Sequence, residues 1–233
     1  MYKERSDTLR VRDFHTHTTL SDGVLSPIEL IRRAIVVGYA SVGISDHSGR
    51  GTLERIIREV VDDCRLAYEH WGFVALPGVE LTHVPASSIA ELAARAKELG
   101  AAYVVVHGES PVEPVEPGTN LAAARCPDVD IIAHPGLIDR ATVEAAADNG
   151  VFVEISAKAG HSLGNGRVAR IAAEGGAKLI LGSDSHTPEQ LLSADFAMLV
   201  LRCAGLDESE ARRVMIENAE ELLARCVKRV EWL

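Results

Sequence analysis

His15 and His17 are separated by one residue and follow Arg10-Val-Arg-Asp-Phe14, which reads as a short strand. Residues two apart on a strand point the same way, so both imidazoles can reach one ion. Ser21-Asp22-Gly23, just beyond them, is turn chemistry and brings a carboxylate to the same place. The arrangement recurs along the chain. Asp46-His47, Glu80, His107, His134-Pro135 and Asp184-x-His186 all stand at, or just after, the carboxyl ends of predicted strands. Six of the nine histidines lie at such places, whereas His70 falls in a helical segment and His83 and His161 in loops. A single strand-end histidine is more often a hydrogen-bonded core residue than a ligand, and a single aspartate there is more often a turn or cap residue. Six imidazoles with the carboxylates of Asp22, Glu80 and Asp184 require a common purpose, and metal ligation supplies one. These nine side chains exceed the three or four that hold one zinc ion, so the set predicts two or three divalent ions. Imidazole favours Zn, Mn or Fe over Mg or Ca, which prefer shells made only of oxygen. Three such ions against three carboxylates leave a positive remainder that matches a phosphate monoester dianion.

The elements that must position these residues alternate. Ser26-Pro27-Ile28-Glu29 opens a helix that runs to Gly38 with Ile28, Ile31, Ala34 and Ile35 inward. A strand over 40–45 follows, then a loop and a helix over 52–70 with Ile56, Val60, Cys64 and Ala67 on one face. The apolar run 73–76 leads through the turn signal Pro77-Gly78 to the segment that carries Glu80. Ser88-x-x-Glu91 predicts a capped helix ending at Gly100, and 102–106 a strand ending in His107. The loop 109–120 holds three prolines and is expected to be irregular. After a short helix at 122–125, the strands 130–134, 151–155 and 178–181 alternate with helices over 139–149 and 163–174. Thr187-Pro188-Glu189-Gln190 caps another helix, and Asp207-x-x-Glu210 opens a final one, about 207–226, with Ala211, Val214, Met215, Leu222 and Cys226 on one face. Seven strand–helix units with strands apolar throughout predict an α/β fold built on a parallel sheet, closed as a barrel. The carboxyl ends of barrel strands form the catalytic rim, where the histidines gather. No glycine-rich nucleotide-binding motif follows any strand.

A chain of 233 residues with 47% apolar side chains can bury one large core, so residues 1–233 are expected to form a single domain with the last helix packed on the barrel. No stretch approaches the roughly 18 unbroken apolar residues of a membrane span, and residues 1–7 are too polar for a secretion signal. A cytoplasmic protein without membrane contact is expected. Cys64, Cys126, Cys203 and Cys226 form no Cys-x-x-Cys pair and are expected as buried, reduced thiols. A net charge of −10 with no basic stripe argues against nucleic acid as a partner, although a small anion can bind where metal ions make a pocket positive.

The ordered set His15-x-His17 with Ser21-Asp22-Gly23, Ser45-Asp46-His47, the Glu80 of Gly-Val-Glu, His107, His134-Pro135 and Asp184-x-His186 resembles the motifs of the PHP (polymerase and histidinol phosphatase) family over residues 13–186. The resemblance implies a distorted seven-stranded (β/α)7 TIM-like barrel and a trinuclear site that hydrolyses phosphoesters. It implies one ion on His15, His17, Glu80 and Asp184, a second on Glu80 with His107 and His134, and a third on Asp22, His47 and His186. A hydroxide formed between two ions is expected to attack phosphorus in line, without a protein nucleophile.

Glu80 and Asp184 are thus expected at the chemical centre. Asp46, beside a ligand, is expected to orient an imidazole or shuttle a proton, or else to fix the turn. Arg50, Lys158, His161 and Arg167 are candidates to meet a substrate phosphate, with His83 and Glu109 as further candidates. Glu154 points either into the barrel or out beside a helix. The leading expectation is a phosphatase for small phosphorylated substrates, histidinol phosphate being the one the family name suggests. The alternatives are a phosphodiesterase or nuclease of the same family, an amide hydrolase, and a non-catalytic domain that binds a phosphorylated metabolite. Low aromatic content (4%) counts against the nuclease, and the complete ligand set counts against the silent domain.

Overall fold

The computed structural model describes residues 9–233; residues 1–7, read above as too polar for a secretion signal, lie outside the described residues. The strands are β1 (Arg12–Asp13), β2 (Ser41–Ile44), β3 (His47–Ser48), β4 (Ala75–Leu81), β5 (Tyr103–His107), β6 (Ile131–Ala133), β7 (Phe152–Ser156) and β8 (Leu179–Gly182). Between them run helices α1 (Pro27–Val37), α2 (Leu53–Trp71), α3 (Ile89–Glu98), α4 (Thr119–Ala124), α5 (Arg140–Asn149) and α6 (Asn165–Gly175). Three more, α7 (Ala194–Cys203), α8 (Glu208–Arg213) and α9 (Ala219–Val227), complete the chain, with a π-helical turn, Val214–Asn218, joining the last two. All strand pairs are parallel, in the order β1-β2-β4-β5-β6-β7-β8, with β3 beside β4. Beyond the strand ends the sheet closes on itself: the Asp184 amide donates to the His15 carbonyl at 2.9 Å and the His17 amide to the Ser185 carbonyl at 2.8 Å. The result is a nearly closed barrel of seven parallel strands with helices around it, a distorted (β/α)7 TIM-like fold.

A period of two along each strand sorts side chains between the barrel interior and the surrounding helices. In β5, Val104 and Val106 join the outer core against the helices, while Tyr103 and Val105 join an inner core with Phe14, Leu76, Ile131, Phe152 and Ile180. Leu222, Cys226 and Val230 belong to that inner core, so α9 and the residues after it plug the amino end of the barrel. The same alternation points Glu80, His107 and Glu154 inward at the opposite end, above the apolar layer.

Several local expectations change. Strand β4 runs unbroken through Pro77-Gly78, because the Pro77 carbonyl still accepts the Ala102 amide at 2.7 Å and the ring of Tyr103 lies where side chains at Gly43 and Gly78 would project. Ser88 does not cap α3; it sits in a 3₁₀ turn (Ala86–Ser88) and its hydroxyl donates to the Pro85 carbonyl at 2.8 Å. The Thr187 capping box closes over a single 3₁₀ turn, Pro188–Gln190, and α7 starts afresh with Ser193 accepting the Phe196 amide. The capping box of Asp207 and Glu210 forms as expected, and Ala211, Val214, Met215, Leu222 and Cys226 are all buried. Cys203, expected inside, is exposed near the end of α7, while Cys64, Cys126 and Cys226 are buried. Among the described residues no helix is long and apolar enough to cross a membrane.

A Cβ at Gly78 would lie 2.3 Å from the Tyr103 ring, whereas one at exposed Gly51 would meet nothing within 4 Å. Gly78→Ala is therefore expected to lower the unfolding free energy in urea by about 1–3 kcal/mol through overpacking, with Gly51→Ala close to neutral.

Candidate metal centre

Every strand that opens onto the mouth contributes a polar group, and two of the candidate ligands sit on backbone that ordinary residues rarely adopt. His134 (φ 28°) and Asp184 (φ 52°) are in the left-handed region, as is His83 (φ 52°); these are the three non-glycine residues with positive φ among those described. Such strain persists only where the surroundings over-determine it, and it gathers at functional sites.

Two buried carboxylates stand at the middle. Glu80 Oε1 lies 3.4 Å from His15 Nε2 and 3.8 Å from His134 Nε2, and its Oε2 lies 2.5 Å from His47 Nδ1 and 3.9 Å from His17 Nε2. Asp184 Oδ1 is 3.2 Å from His17 Nε2, 3.9 Å from His15 Nε2 and 3.4 Å from His186 Nδ1, and its Oδ2 is 3.9 Å from His134 Nε2. Half-exposed Asp22 reaches both His186 Nε2 at 3.2 Å and His47 Nε2 at 3.6 Å. Sets of ligand atoms within 4.8 Å of one another form at His15, His17 and Glu80; at His15, His134 and Asp184; at His17, Asp22, His47 and His186; and at His107, His134 and His161. The structure thus brings together all nine side chains singled out from the sequence and adds His161 beside His107 and His134.

The donor set fits divalent cations. His15 Nε2, both ring nitrogens of His17, Glu80 Oε1 and His134 Nδ1 are buried without any hydrogen-bond partner, although buried polar atoms are nearly always paired. Burial would raise the Glu80 carboxyl, but His47, His15 and His107 hold it well below the usual carboxylate range. Burial likewise opposes the charged form of His47, yet the Glu80 and Asp22 carboxylates push it up to about 10. Burial pushes His17 down to about 4, although Asp184 beside it pulls the other way. The cluster therefore has negative charge fixed at its centre and imidazoles that cannot all take protons to balance it. Metal ions supply that charge without protons.

A second layer of contacts fixes the rings. His15 Nδ1 is 2.6 Å from Glu154 Oε2, which settles that Glu154 points inward. Burial raises the Glu154 carboxyl, and Gly182 leaves it room, since a Cβ there would come within 2.7 Å of the carboxyl carbon. Lys158 Nζ donates to the Asp184 carbonyl at 2.9 Å and to His186 Nδ1 at 2.7 Å. His107 Nδ1 faces the Gly108 carbonyl at 3.2 Å, leaving Nε2 toward the site.

Other expectations are corrected. Asp46 touches the turn and no imidazole: Oδ1 accepts the Thr18 amide at 2.7 Å and the Ser21 hydroxyl at 2.6 Å, and Oδ2 accepts the Thr18 hydroxyl at 2.7 Å. It braces the loop that carries Asp22. Arg50 points away from the mouth and pairs with Glu91 at 2.7 Å on the outer surface. Arg167 donates to the Ile138 carbonyl at 3.0 Å, and Glu109 accepts the Gly118 and Asn120 amides at 3.0 Å; both order loops beside the site. Lys158, His161 and His83 do reach it. Glu113 was missed: from the three-proline loop it lies 3.0 Å from His83 Nε2, 3.2 Å from His107 Nε2 and 3.3 Å from His161 Nε2. No periodicity or motif marks it, so sequence carried no signal for its position.

Stripping divalent ions with a chelator is expected to lower the melting temperature. The drop should be about 5–10 °C for each ion held at about a hundred times its dissociation constant, read by calorimetry with metal restored as the control. An unchanged melting temperature would mean that this cluster holds no ion.

No family model matches the sequence. An uncharacterised protein of Methanocaldococcus jannaschii is 44% identical over 214 residues, covering 91% of this chain and 98% of that one. A Thermoanaerobacter (strain X514) protein named as a probable phosphatase is 27% identical over 240 residues, covering 91% and 94%. The DNA polymerase/3'-5' exonuclease PolX of Bacillus subtilis is 29% identical over 239 residues, covering 94% of this chain but 40% of that enzyme. A chain in the cryo-EM structure of archaeal ribonuclease P with mature tRNA shares the fold with a TM-score of 0.70 at 14% identity, over 94% of this chain and 90% of that one. A two-domain Bacteroides vulgatus protein containing a predicted PHP-like metal-dependent phosphoesterase shares it with a TM-score of 0.50 at 17% identity, over 81% and 58%. With nine candidate ligand side chains in motif order around one barrel mouth, these likenesses identify the chain as a member of the PHP, or polymerase and histidinol phosphatase, family.

Proposed function

We infer that the chain hydrolyses small phosphomonoesters, in the manner of a histidinol phosphatase, with three divalent ions of Zn, Mn or Fe as cofactors. The observation that carries this reading is the pair of buried carboxylates: Glu80 faces His15, His17, His47 and His134, and Asp184 faces His15, His17, His134 and His186, all within 4.0 Å. His15, His17, Glu80 and Asp184 would hold one ion; Glu80 with His107 and His134 a second; and Asp22, His47 and His186 a third. When bound, such ions make water acidic enough to yield hydroxide near neutral pH and neutralise charge on phosphoryl oxygens.

The chain's own part is to position and to exclude. Glu154 holds the ring of His15, and Asp46 holds the loop bearing Asp22, so the ligands need not reorganise when substrate arrives. Lys158 Nζ stands at the rim between Asp184 and His186 as a fixed positive charge that suits an incoming phosphate. The likeness to a phosphatase over nearly the whole of both chains supports phosphate-ester chemistry. A net charge of −10 supports a small substrate over a polynucleotide. The likeness to the polymerase–exonuclease favours a second reading, phosphodiester hydrolysis.

One assay separates these. Protein loaded with Mn or Zn is offered a broad set of phosphomonoesters, a dinucleotide and an amide; free phosphate is measured for the monoesters, and the cleaved products are separated and measured for the other two. Phosphate release from one or more monoesters is expected, and His17→Ala or Glu80→Ala should cut it at least about a hundredfold with the circular dichroism spectrum unchanged. Cleavage of the dinucleotide or amide alone would overturn the monoesterase reading. Lys158→Ala is expected to raise KM about tenfold, equivalent to about 1.4 kcal/mol of binding, more than it lowers kcat.

A further inference from the structure

We propose that His161 is a tenth metal ligand of this centre, completing with His107 and His134 a three-imidazole position whose outward side is covered by Glu113. The inference rests on reading the mouth as a metal centre, and not on which ester is cleaved.

His161 is not a solvated surface base. It is 7% exposed and its ring stacks on that of His134, with centroids 4.0 Å apart and planes 15° apart. The ring of His107 meets it edge-on at 5.9 Å. The ligand nitrogens of these three residues lie within 4.8 Å of one another, close enough for one ion with bonds of about 2.0–2.1 Å to nitrogen. Its other ring nitrogen is already engaged: Nδ1 is 2.5 Å from the hydroxyl of Ser110, itself 5% exposed. A ligating histidine is commonly held in this way, because a partner on one nitrogen fixes the ring and aims the other.

The turn that presents His161 is built to hold still. Asn165 clamps the chain on the far side of the turn, accepting the Ser156 amide at 3.1 Å and donating to the Ser156 carbonyl at 2.8 Å. Gly160, with φ of 90°, makes the reversal just before His161. The free nitrogen, Nε2, then faces Asp184 Oδ2 at 3.7 Å and Glu113 Oε1 at 3.3 Å. Glu113 also reaches His107 Nε2 at 3.2 Å, so its carboxylate spans two of the three imidazoles from the outside. At 37% side-chain exposure and on a loop, it is placed to yield to an incoming phosphate, while the buried imidazoles stay.

The test counts ions and needs no substrate. Wild-type protein and the variants His161→Gln, His107→Gln, His161→Gln/His107→Gln and His161→Gln/His17→Gln are loaded with Zn or Mn, dialysed against graded chelator and assayed by elemental analysis. Circular dichroism confirms that each is folded. The expected result is the loss of about one ion per chain from His161→Gln, no further loss on adding His107→Gln, and a further loss on adding His17→Gln. Full retention of ions by His161→Gln would overturn the proposal and leave His161 as a packing or phosphate-contacting residue. Ser110→Ala provides an independent check should His161→Gln not fold: it is expected to weaken retention of one ion by about tenfold or more, as loss of a partner behind a ligand does, and unchanged retention would overturn the proposal. Failure of the monoester assay with these ion counts as expected would sink the phosphatase reading alone; wild-type protein that retains no ion would sink both.

Discussion

Two backbone hydrogen bonds, from the Asp184 amide to the His15 carbonyl and from the His17 amide to the Ser185 carbonyl, join the first strand's end to the last. They close the barrel and assemble the site in one act, because three of the four residues they join, His15, His17 and Asp184, are candidate metal ligands. Without closure, His15 and His17 would sit at one edge of an open sheet and Asp184 and His186 at the other. A buried carboxylate supports the seam: Asp13 accepts the His15 amide at 3.1 Å and the Ser183 amide at 3.2 Å. Burial pushes Asp13 up to about 6 even so. Its first oxygen serves the joint, and the Tyr39 hydroxyl approaches the second at 3.5 Å.

Closure creates an electrostatic problem. Glu80 and Asp184 are brought into a volume too small and too dry for their charge, among imidazoles that repel one another if protonated. Uncompensated, such a cluster is destabilising by several kcal/mol. Divalent cations would resolve the conflict better than protons do, since each carries two charges and leaves the imidazoles neutral. The unpartnered nitrogens of His15, His17 and His134 are the other half of the same argument: buried polar atoms are nearly always paired, and a metal ion would supply the partner that these lack.

The gathering of these nine side chains at one mouth was legible because they obey two strong local rules, apolar strands and polar strand ends, and recur in chain order. The alternation of elements was legible for the same reason. What sequence could not convey depends on neighbours far away in the chain. Pro77-Gly78 reads as a turn until the Tyr103 ring is known to fill the space beside it. Asp46 looks like a partner for its neighbour His47, but it is claimed by Thr18 and Ser21 across the mouth. Arg50 lies near the site in sequence, yet its long side chain finds Glu91 on the outside. Glu113 belongs to a segment with no period at all, and only the folded path of a three-proline loop brings it to the imidazoles.

The interior of the barrel divides accordingly, and the division explains how a strained polar mouth is tolerated. Below, Phe14, Leu76, Tyr103, Val105, Ile131, Phe152 and Ile180 form an apolar layer sealed by Leu222 and Cys226 of α9. Each large side chain buried there stabilises by about 1.5–3 kcal/mol, and together they can offset the left-handed backbone at His134 and Asp184, which costs on the order of 1–3 kcal/mol per residue. Beside that layer Gly43 and Gly78 carry no side chain, and the Tyr103 ring fills the space. Above it lies the polar mouth. There several groups are held by others from behind: His15 by Glu154, His161 by Ser110, the Asp22 loop by Asp46. The mouth is thus shaped from two sides, by the apolar plug below it and by the backbone seam across its rim, and the charge gathered there is what a cation would relieve.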